Sequence, residues 1–466
     1  MNQMRGSNAM FLGIDIGTTA IKFGVIEDRK IIYSQSLPIK THSHGLKQTQ
    51  SATQISSQLI SGVTTIPAQL KAAITVIGFS TAMHSLMPVA GETAEEIYIW
   101  SDNQASQTMT AFRQTDLAAT FYEETGTPIH AMSPFAKLAY FQTNGSYSKE
   151  TKWFGLKELA MALFTGQARI DYSTASATGL FSLKEKRWSQ KILNYLSLSK
   201  AQLAPLCAPT DRFLITEEMA QRCGLKPEVE VMCGASDGCL AAYAGYISTG
   251  IRNSLTIGTS AAVRKVSETT VFDRQKQNFC YYLQDDLYVV GAPSNNGGCV
   301  LAWAKDTLSE DPDAFYHYLP QVMEESPIGS NGLRFFPYLN GERAPFWTNE
   351  ITGGFSGLTL KHNRSDMLRA VIEGILMNID LLKQMAQLEG AVTVSGGFFQ
   401  TKLLGQMTAD VLGLTCYLSD ENEPIFGLYD LYKSSVVRQD QPDEKFVPDP
   451  QNQALYQELA KTYFQA

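Results

Sequence analysis

Near the start of the chain stands Leu12-Gly13-Ile14-Asp15-Ile16-Gly17-Thr18-Thr19-Ala20-Ile21-Lys22, and a partial echo returns at Leu255-Thr256-Ile257-Gly258-Thr259-Ser260-Ala261-Ala262-Val263-Arg264. Each copy is an apolar run, a Gly-Thr-Thr or Gly-Thr-Ser step and an alternating stretch, which reads as strand, tight turn, strand. No Gly-Lys-Ser/Thr string opens a helix anywhere in the chain, so a Walker-type loop is excluded. The turns must then hold phosphate as hairpins. Glycine admits the anion to the backbone, hydroxyls and N–H groups face its oxygens, and Asp15 suits a hydrated magnesium ion. A single Gly-Thr-Thr is more often an ordinary turn. Two copies one domain length apart predict a duplicated architecture with a nucleoside triphosphate between the halves.

Bulk properties agree. A chain of 466 residues exceeds what one core usually supports, so two domains are expected, residues 11–248 and 249–466. The division falls where the helix after Asp237 fades, between Gly245 and Gly250. Residues 1–10 read as a disordered leader or an added remnant. A net charge of -8 without a Lys/Arg-rich run argues against nucleic acid and anionic membrane as partners. Seven scattered cysteines with no Cys-x-x-Cys pair fit a reduced, cytoplasmic setting without structural zinc. No apolar run is long enough to span a bilayer. Short strands and helices alternate along the chain, the pattern of an α/β fold. The polar stretch from Arg438 to Pro450 is a candidate mobile loop.

Several places carry candidate chemistry. In Cys233-Gly234-Ala235-Ser236-Asp237-Gly238 a strand gives way to a helix with a carboxylate at its start. Asp is a favoured cap there, but ligands in open α/β sheets also bind beyond strand ends, and a kinase acting on an alcohol needs a carboxylate to accept the hydroxyl proton. Met83-His84 follows the strand Ile77-Gly78-Phe79, and Trp100-Ser101-Asp102-Asn103-Gln104 ends another. Such side chains pair with sugar hydroxyls, although they are also common turn formers. His130 precedes Ser133-Pro134, a cap and first helical residue. Ser395-Gly396-Gly397 and Asn296-Gly297-Gly298 each stand before a helix, where glycine pairs let a base or ribose lie against the backbone. The apolar stripe Leu368, Val371, Ile372, Ile375, Leu376, Ile379 and Leu382 predicts a core helix with Ser365 as its N-cap. A second helix, with Leu403, Leu404, Met407 and Val411 buried, should stop at Gly413.

The order of these motifs resembles the FGGY family of carbohydrate kinases, within the superfamily that shares the two-lobed actin and hexokinase ATPase fold of duplicated ribonuclease H-like domains. The resemblance runs from Phe11 to about Leu418. The strings TGTPIHAMSP, GLKE, DYSTASATGLFSL, GASDG, TIGTSAAVR, NNGG, YLNGERAPFW and GLTL are similar to those of bacterial gluconate kinases within it. The resemblance implies an ATP-dependent kinase of D-gluconate, a ketopentose kinase or a non-catalytic sugar or nucleotide sensor being the alternatives. It implies Asp237 as catalytic base, Asp15 at Mg2+, and Thr18, Thr19, Lys22, Gly258 and Thr259 around the phosphates of ATP. Gly298, Gly397 and Thr401 would border the nucleotide, and Met83, His84, Asp102 and His130 the sugar acid. The expected partners are small molecules only, and a homodimer is the expected assembly.

Two departures from the family pattern stand out. Many members have Trp-x-Asp-x-Arg where this chain has Gln104, which removes a fixed positive charge near the sugar and leaves Lys137 and Arg343 as candidate carboxylate readers. Glu423-Pro424-Ile425-Phe426-Gly427-Leu428 follows the adenine motif almost at once, in place of a Gly-Ala-Ala helix. The sequence therefore puts that helix in question.

Overall fold

The computed structural model describes residues 9–465 apart from 92, 95, 420–422 and 441, so the expected leader lies almost wholly outside the described residues. Two mixed sheets carry the fold. The first contains β1 (Met10–Ile16), β2 (Ala20–Glu27), β3 (Lys30–Pro38), β4 (Ile74–Thr81), β5 (Arg212–Leu214) and β6 (Glu230–Met232), arranged β5-β6-β4-β1-β2-β3. The second contains β7 (Asn253–Ile257), β8 (Ala261–Ser267), β9 (Phe279–Gln284), β10 (Leu287–Ser294), β11 (Ala391–Ser395), β12 (Thr415–Leu418) and β13 (Lys445–Phe446), arranged β9-β10-β8-β7-β11-β12-β13.

The two sheets repeat one plan. β3, β2 and β1 are antiparallel neighbours and β4 and β6 continue parallel to β1. In the second sheet β10, β8 and β7 are antiparallel, and β11 and β12 continue parallel to β7. Each sheet closes on that side with an antiparallel edge strand, β5 or β13. The chain therefore forms the two-lobed, duplicated α/β fold that the twin hairpins implied.

Seven helices matter to the site: α1 (Pro134–Asn144), α2 (Leu156–Thr165), α3 (Asp237–Thr249), α4 (Gly298–Leu308), α5 (Arg364–Ala386), α6 (Lys402–Leu412) and α7 (Pro424–Lys433). Ser133 caps α1 with Pro134 first inside it, and Gly413 ends α6 in the left-handed conformation, both as expected. Leu404, Met407 and Val411 are buried on α6, whereas Leu403 is only half-buried. The start of α5 needs correction. Asn363, two residues before the expected Ser365, is its cap, because Asn363 and Asp366 satisfy each other's backbone N–H groups in a capping box. The Ser365 hydroxyl donates to Glu325 instead. The stretch after Arg438 is tied down in part, since the N–H groups of Arg438 and Asp440 donate to the carbonyls of Ile247 and Ser248.

The helix that the sequence put in question is present as α7. It packs on α3 and on β1, so although it follows β12 in the chain it covers the first sheet. Close approach explains its glycine: a Cβ on Gly427 would stand 2.3 Å from the Leu240 carbonyl oxygen. Ile425 lies over Gly13 and Gly24 of the first sheet. Meanwhile α3, which follows β6, packs against β8 and β7 of the second. Phe11 and Met232, Leu240 and Ile247 on α3, Val266 and Val289, and Ile425 and Leu428 on α7 form one buried cluster between the lobes.

Candidate active site

Asp237 is the first residue of α3, at the junction of the lobes. Ser236 before it is extended, and its hydroxyl meets Ser173 Oγ at 3.0 Å instead of capping the helix. Asp237 Oδ1 accepts the Gly238 N–H at 2.7 Å. Burial raises the carboxyl above its ordinary range, while that N–H and the Arg264 guanidinium pull it back. It accepts that N–H at the positive end of a helix.

A buried lysine supports this loop from below. Lys157 Nζ, on α2, donates to the carbonyls of Phe79 at 2.6 Å, Cys233 at 2.5 Å and Ala235 at 3.3 Å, and lies 3.3 Å from Asp171. Asp171 accepts from the Thr174 N–H and hydroxyl, each at 2.7 Å. Both ions are fully buried, so removing either strands a charge at a cost of about 3–5 kcal/mol. The GLKE and DYSTASATGLFSL strings thus fix the ends of β4 and β6, which present Met83-His84 and Asp237.

A cavity of about 270 Å³ opens beside Asp237. Thr18, Met83, His84 and Trp100 line it from the first lobe, and Ser260, Arg264, Tyr281 and Arg343 from the second. His84 Nδ1–H donates to the Ala177 carbonyl at 2.8 Å, which leaves Nε2 as an acceptor. Burial, and then Lys137, lower this imidazole to about 3, so it meets a hydroxyl as a neutral ring. The Tyr281 hydroxyl is buried without a hydrogen-bond partner. Trp100 Nε1 donates to Thr18 Oγ1 at 3.0 Å, and the Arg343 guanidinium lies 5.0 Å over the Trp100 ring. Arg343 also donates to the Ser294 carbonyl at 2.8 Å, so it bridges the lobes.

Asp15 lies beneath the first turn, buried, and accepts the Ser80 hydroxyl at 2.6 Å. Burial, reinforced by the charge of Asp237, raises its carboxyl to about 7. A buried carboxylate that feels the charge of a second one offers a place for a cation. Among the described residues no group of three or more His, Cys, Asp or Glu side chains forms a metal cage. That donor set suits Mg2+, which takes one or two carboxylates and completes its shell with water and phosphate.

The structure brings Thr18, Met83, His84 and Asp237 to one cavity wall, with Asp15 below. Thr19 is exposed at the rim, and Lys22 is half-exposed and paired with Glu423 at 3.1 Å. On the second lobe the Gly298 N–H donates to the Gly258 carbonyl at 2.7 Å, and the Cys299 N–H to the Thr259 carbonyl at 3.1 Å. Thr401 caps α6 by accepting the Leu404 N–H at 3.3 Å, and Gly397 is exposed just after β11. These five residues edge the second sheet outside the cavity wall. Asp102 and His130 are not brought to the wall. Asp102 is buried and accepts the Gln48 N–H at 3.0 Å. His130 is buried 5.6 Å from the Trp347 ring, and its Nδ1 accepts the Met132 N–H at 3.3 Å. Nor is Lys137: its ammonium donates to the carbonyls of His84, Ala131 and Met132.

Trp100, Arg264 and Tyr281 are wall residues that sequence reasoning passed over. Arg264 left a signal, a charged side chain two places after Ala262 on a strand whose other face, at Val263, is core. Tyr281 left none, because its strand reads Phe-Cys-Tyr-Tyr-Leu, all apolar in bulk.

Comparison with known proteins now decides the family. Residues 10–244 match the N-terminal domain of the FGGY family of carbohydrate kinases, and residues 253–427 match its C-terminal domain. This chain belongs to that family. Among FGGY relatives, a gluconokinase of Bacillus subtilis is 32% identical over 448 residues, covering 90% of this chain and 87% of its own. Two solved structures from Lactobacillus acidophilus superpose over 98% of this chain. A ligand-bound xylulose kinase, 97% covered, gives a TM-score of 0.90 at 29% identity, and a gluconate kinase, 96% covered, gives 0.89 at 28%. The protein is thus an FGGY carbohydrate kinase, and both substrate names occur among its neighbours. Among the described residues no helix is long and apolar enough to cross a membrane.

Proposed function

We propose that this FGGY kinase transfers the γ-phosphoryl group of ATP to the terminal hydroxyl of D-gluconate, giving 6-phospho-D-gluconate. One observation carries the reading: Asp237 stands in the wall of a cavity that also meets both Gly-Thr turns, at Thr18 and Ser260. Asp237 accepts the proton of the attacking hydroxyl. In a loose transition state the charge stays on the transferring group, so this carboxylate orients the hydroxyl more than it ionises it. Thr18, Thr19 and Lys22 hold the phosphates from one lobe and Gly258 and Thr259 from the other. Gly298, Gly397 and Thr401 border the nucleotide. Mg2+ at Asp15 would neutralise phosphate charge. Met83 and His84 meet the sugar hydroxyls, and Asp102 and His130 reach them only when the lobes close and exclude water. The similarity to gluconokinase supports a sugar acid, and a reduced thiol set supports the cytoplasm: all seven cysteines are unpaired. A homodimer remains the assembly to test by sedimentation.

The test is ADP release by the purified protein across gluconate, xylulose, ribulose, glycerol and rhamnulose. Highest kcat/KM on gluconate is expected. Highest kcat/KM on a ketopentose overturns the sugar acid and supports the second reading, which the likeness to the xylulose kinase structure favours. Calorimetric sugar binding without turnover of any substrate would favour a sensor.

A further inference from the structure

The cavity beside Asp237 carries more positive charge than its protein partners answer. Arg264 and Arg343 both line it. Among the described residues neither forms an ion pair within 4.0 Å, and no group accepts a hydrogen bond from the Arg264 side chain. The Arg343 guanidinium donates one bond, to the Ser294 carbonyl, and its Nε is buried without a partner. The carboxylate that Arg264 feels is that of Asp237, the group needed for the acceptor hydroxyl. Burial, with the charge of Arg264 added and that of Glu342 opposing, lowers Arg343 to about 10. Two guanidinium groups that face one cavity form a place suited to an anion.

Their placement suits one ligand chemistry. Arg264 projects from β8 over Gly238, where a Cβ would stand 3.3 Å from Arg264 Nε, so the absence of a side chain at position 238 makes its room. Arg343 is anchored by the Trp100 ring and Ser294, which holds its fork in place. A planar guanidinium matches a planar carboxylate with two parallel N–H donors. The other candidates do not compete: Lys137 is enclosed by three carbonyls, and Gln104 offers an uncharged amide whose Nε2 lies 3.4 Å from the Tyr140 hydroxyl. The unpartnered Tyr281 hydroxyl is left for a neighbouring sugar hydroxyl.

We propose that Arg264 and Arg343 form the carboxylate subsite of this kinase, gripping the acid end of a six-carbon sugar acid whose far hydroxyl reaches Asp237. The inference rests on the kinase reading above and adds the means of selection: the charge missing at Gln104 is supplied from the opposite lobe. Selection then acts by differential affinity, since a neutral polyol leaves both cations unpaired.

The experiment compares gluconate with glucitol, which has the same chain with an alcohol in place of the carboxylate. Steady-state kinetics on native protein, Arg264→Gln, Arg343→Gln and Arg264→Lys report KM, kcat and the KM for ATP, and calorimetry reports gluconate binding without ATP. Thermal unfolding confirms that each variant is folded. Loss of a charged hydrogen-bonded partner is expected to raise the gluconate KM and Kd on the order of 30-fold in either glutamine variant. The loss on glucitol should be at least about tenfold smaller than that on gluconate, the ATP KM should move less than the gluconate KM, and Arg264→Lys should recover part of the loss. Equal losses on gluconate and glucitol, or a raised ATP KM with unchanged gluconate Kd, overturn the proposal and assign Arg264 to the transferring phosphate, leaving gluconate as substrate. A native enzyme that favours a neutral ketopentose over gluconate overturns the substrate reading and the subsite together. If one variant fails to fold, the other glutamine variant decides.

Discussion

The two Gly-Thr hairpins occupy the same place in their sheets, yet they are held differently and face the cleft with different chemistry. In the first, Asp15 pairs in register with Ser80 of β4 and accepts its hydroxyl. In the second, Thr256 pairs in register with Ser395 of β11, and the two hydroxyls meet at 3.1 Å. The scaffold is repeated and the carboxylate is not. The turns also differ in length, with residues 17–20 joining the Ile16–Ile21 pair and 258–260 joining the Ile257–Ala261 pair. Side chains fasten the first, through Gln50 Nε2 donating to the Thr18 carbonyl at 2.7 Å and Trp100 to the Thr18 hydroxyl. Bare backbone fastens the second. A Cβ on Gly297 would stand 2.7 Å from Ser260, one on Gly298 2.6 Å from the Gly258 oxygen, and one on Gly396 2.4 Å from the Ile257 oxygen. Duplication thus preserved the frame while charge was divided, with the buried Asp15 carboxylate in one lobe and guanidinium groups in the other.

The same division appears in the helices after the sixth strand of each sheet. α3 opens with Asp237, and α7 opens with Pro424. At the next position Gly238 makes room for Arg264, whereas in α7 it is Ile425 that fills the room left by Gly24. The largest expected effect follows from this asymmetry. Asp237→Asn should lower kcat by roughly 1,000-fold, the usual range for a lost base, with ATP binding by calorimetry unchanged. Near-native turnover would return Asp237 to a purely capping role.

Exchanging the hydroxyl-paired residues sharpens the contrast between lobes. Asp15→Asn should lower kcat/KM on the order of 100-fold and move the Mg2+ requirement upward, because the metal contribution is several kcal/mol, while Thr256→Val should change turnover by less than about 3-fold. Similar losses at both positions would mean that both turns hold metal. Next comes the packing contrast. Gly298→Ala drives a methyl group into the Gly258 carbonyl and should lower stability by about 1–3 kcal/mol in denaturant unfolding, more than Gly17→Ala, whose Cβ would stand 3.2 Å from the Ala20 oxygen.

The smallest effect is in pH. The Asp15 carboxyl is raised to about 7 in the folded protein from 3.8, so the native state binds the extra proton between those values and stability falls as pH rises through them. Asp15→Asn removes that term. Its Tm should therefore gain on native protein from pH 5 to 7 in metal-free buffer. A constant difference would show that Asp15 is already ionised.

How much of this was legible depended on whether a role left a pattern in the chain. The twin hairpins are repeated and the strand-to-helix junction before Asp237 is local, so both read directly. The start of α5 did not, because Asn363 and Ser365 are both good caps and only the reciprocal partner Asp366 decides between them. Arg264 appeared in a quoted string as an unremarked end, since its meaning depends on Gly238 and on Arg343 from another part of the chain. The glycine pairs at 297–298 and 396–397 were read as backing for a nucleotide. Gly297, Gly298 and Gly396 also serve the close packing of the second turn, a contact no short window contains.

The exchange of α3 and α7 between sheets bears on how the molecule is made. On the ribosome, the strands of the first sheet are complete once residue 232 has emerged, but the helix that covers Gly13 and Gly24 is about 190 residues away. Until it arrives, the apolar surface around Phe11 and Met232 is open to collisions with other nascent chains, and the closing contact must span most of the polypeptide. Neither sheet finishes itself, because a helix at residues 424–433 seals a strand at residues 10–16.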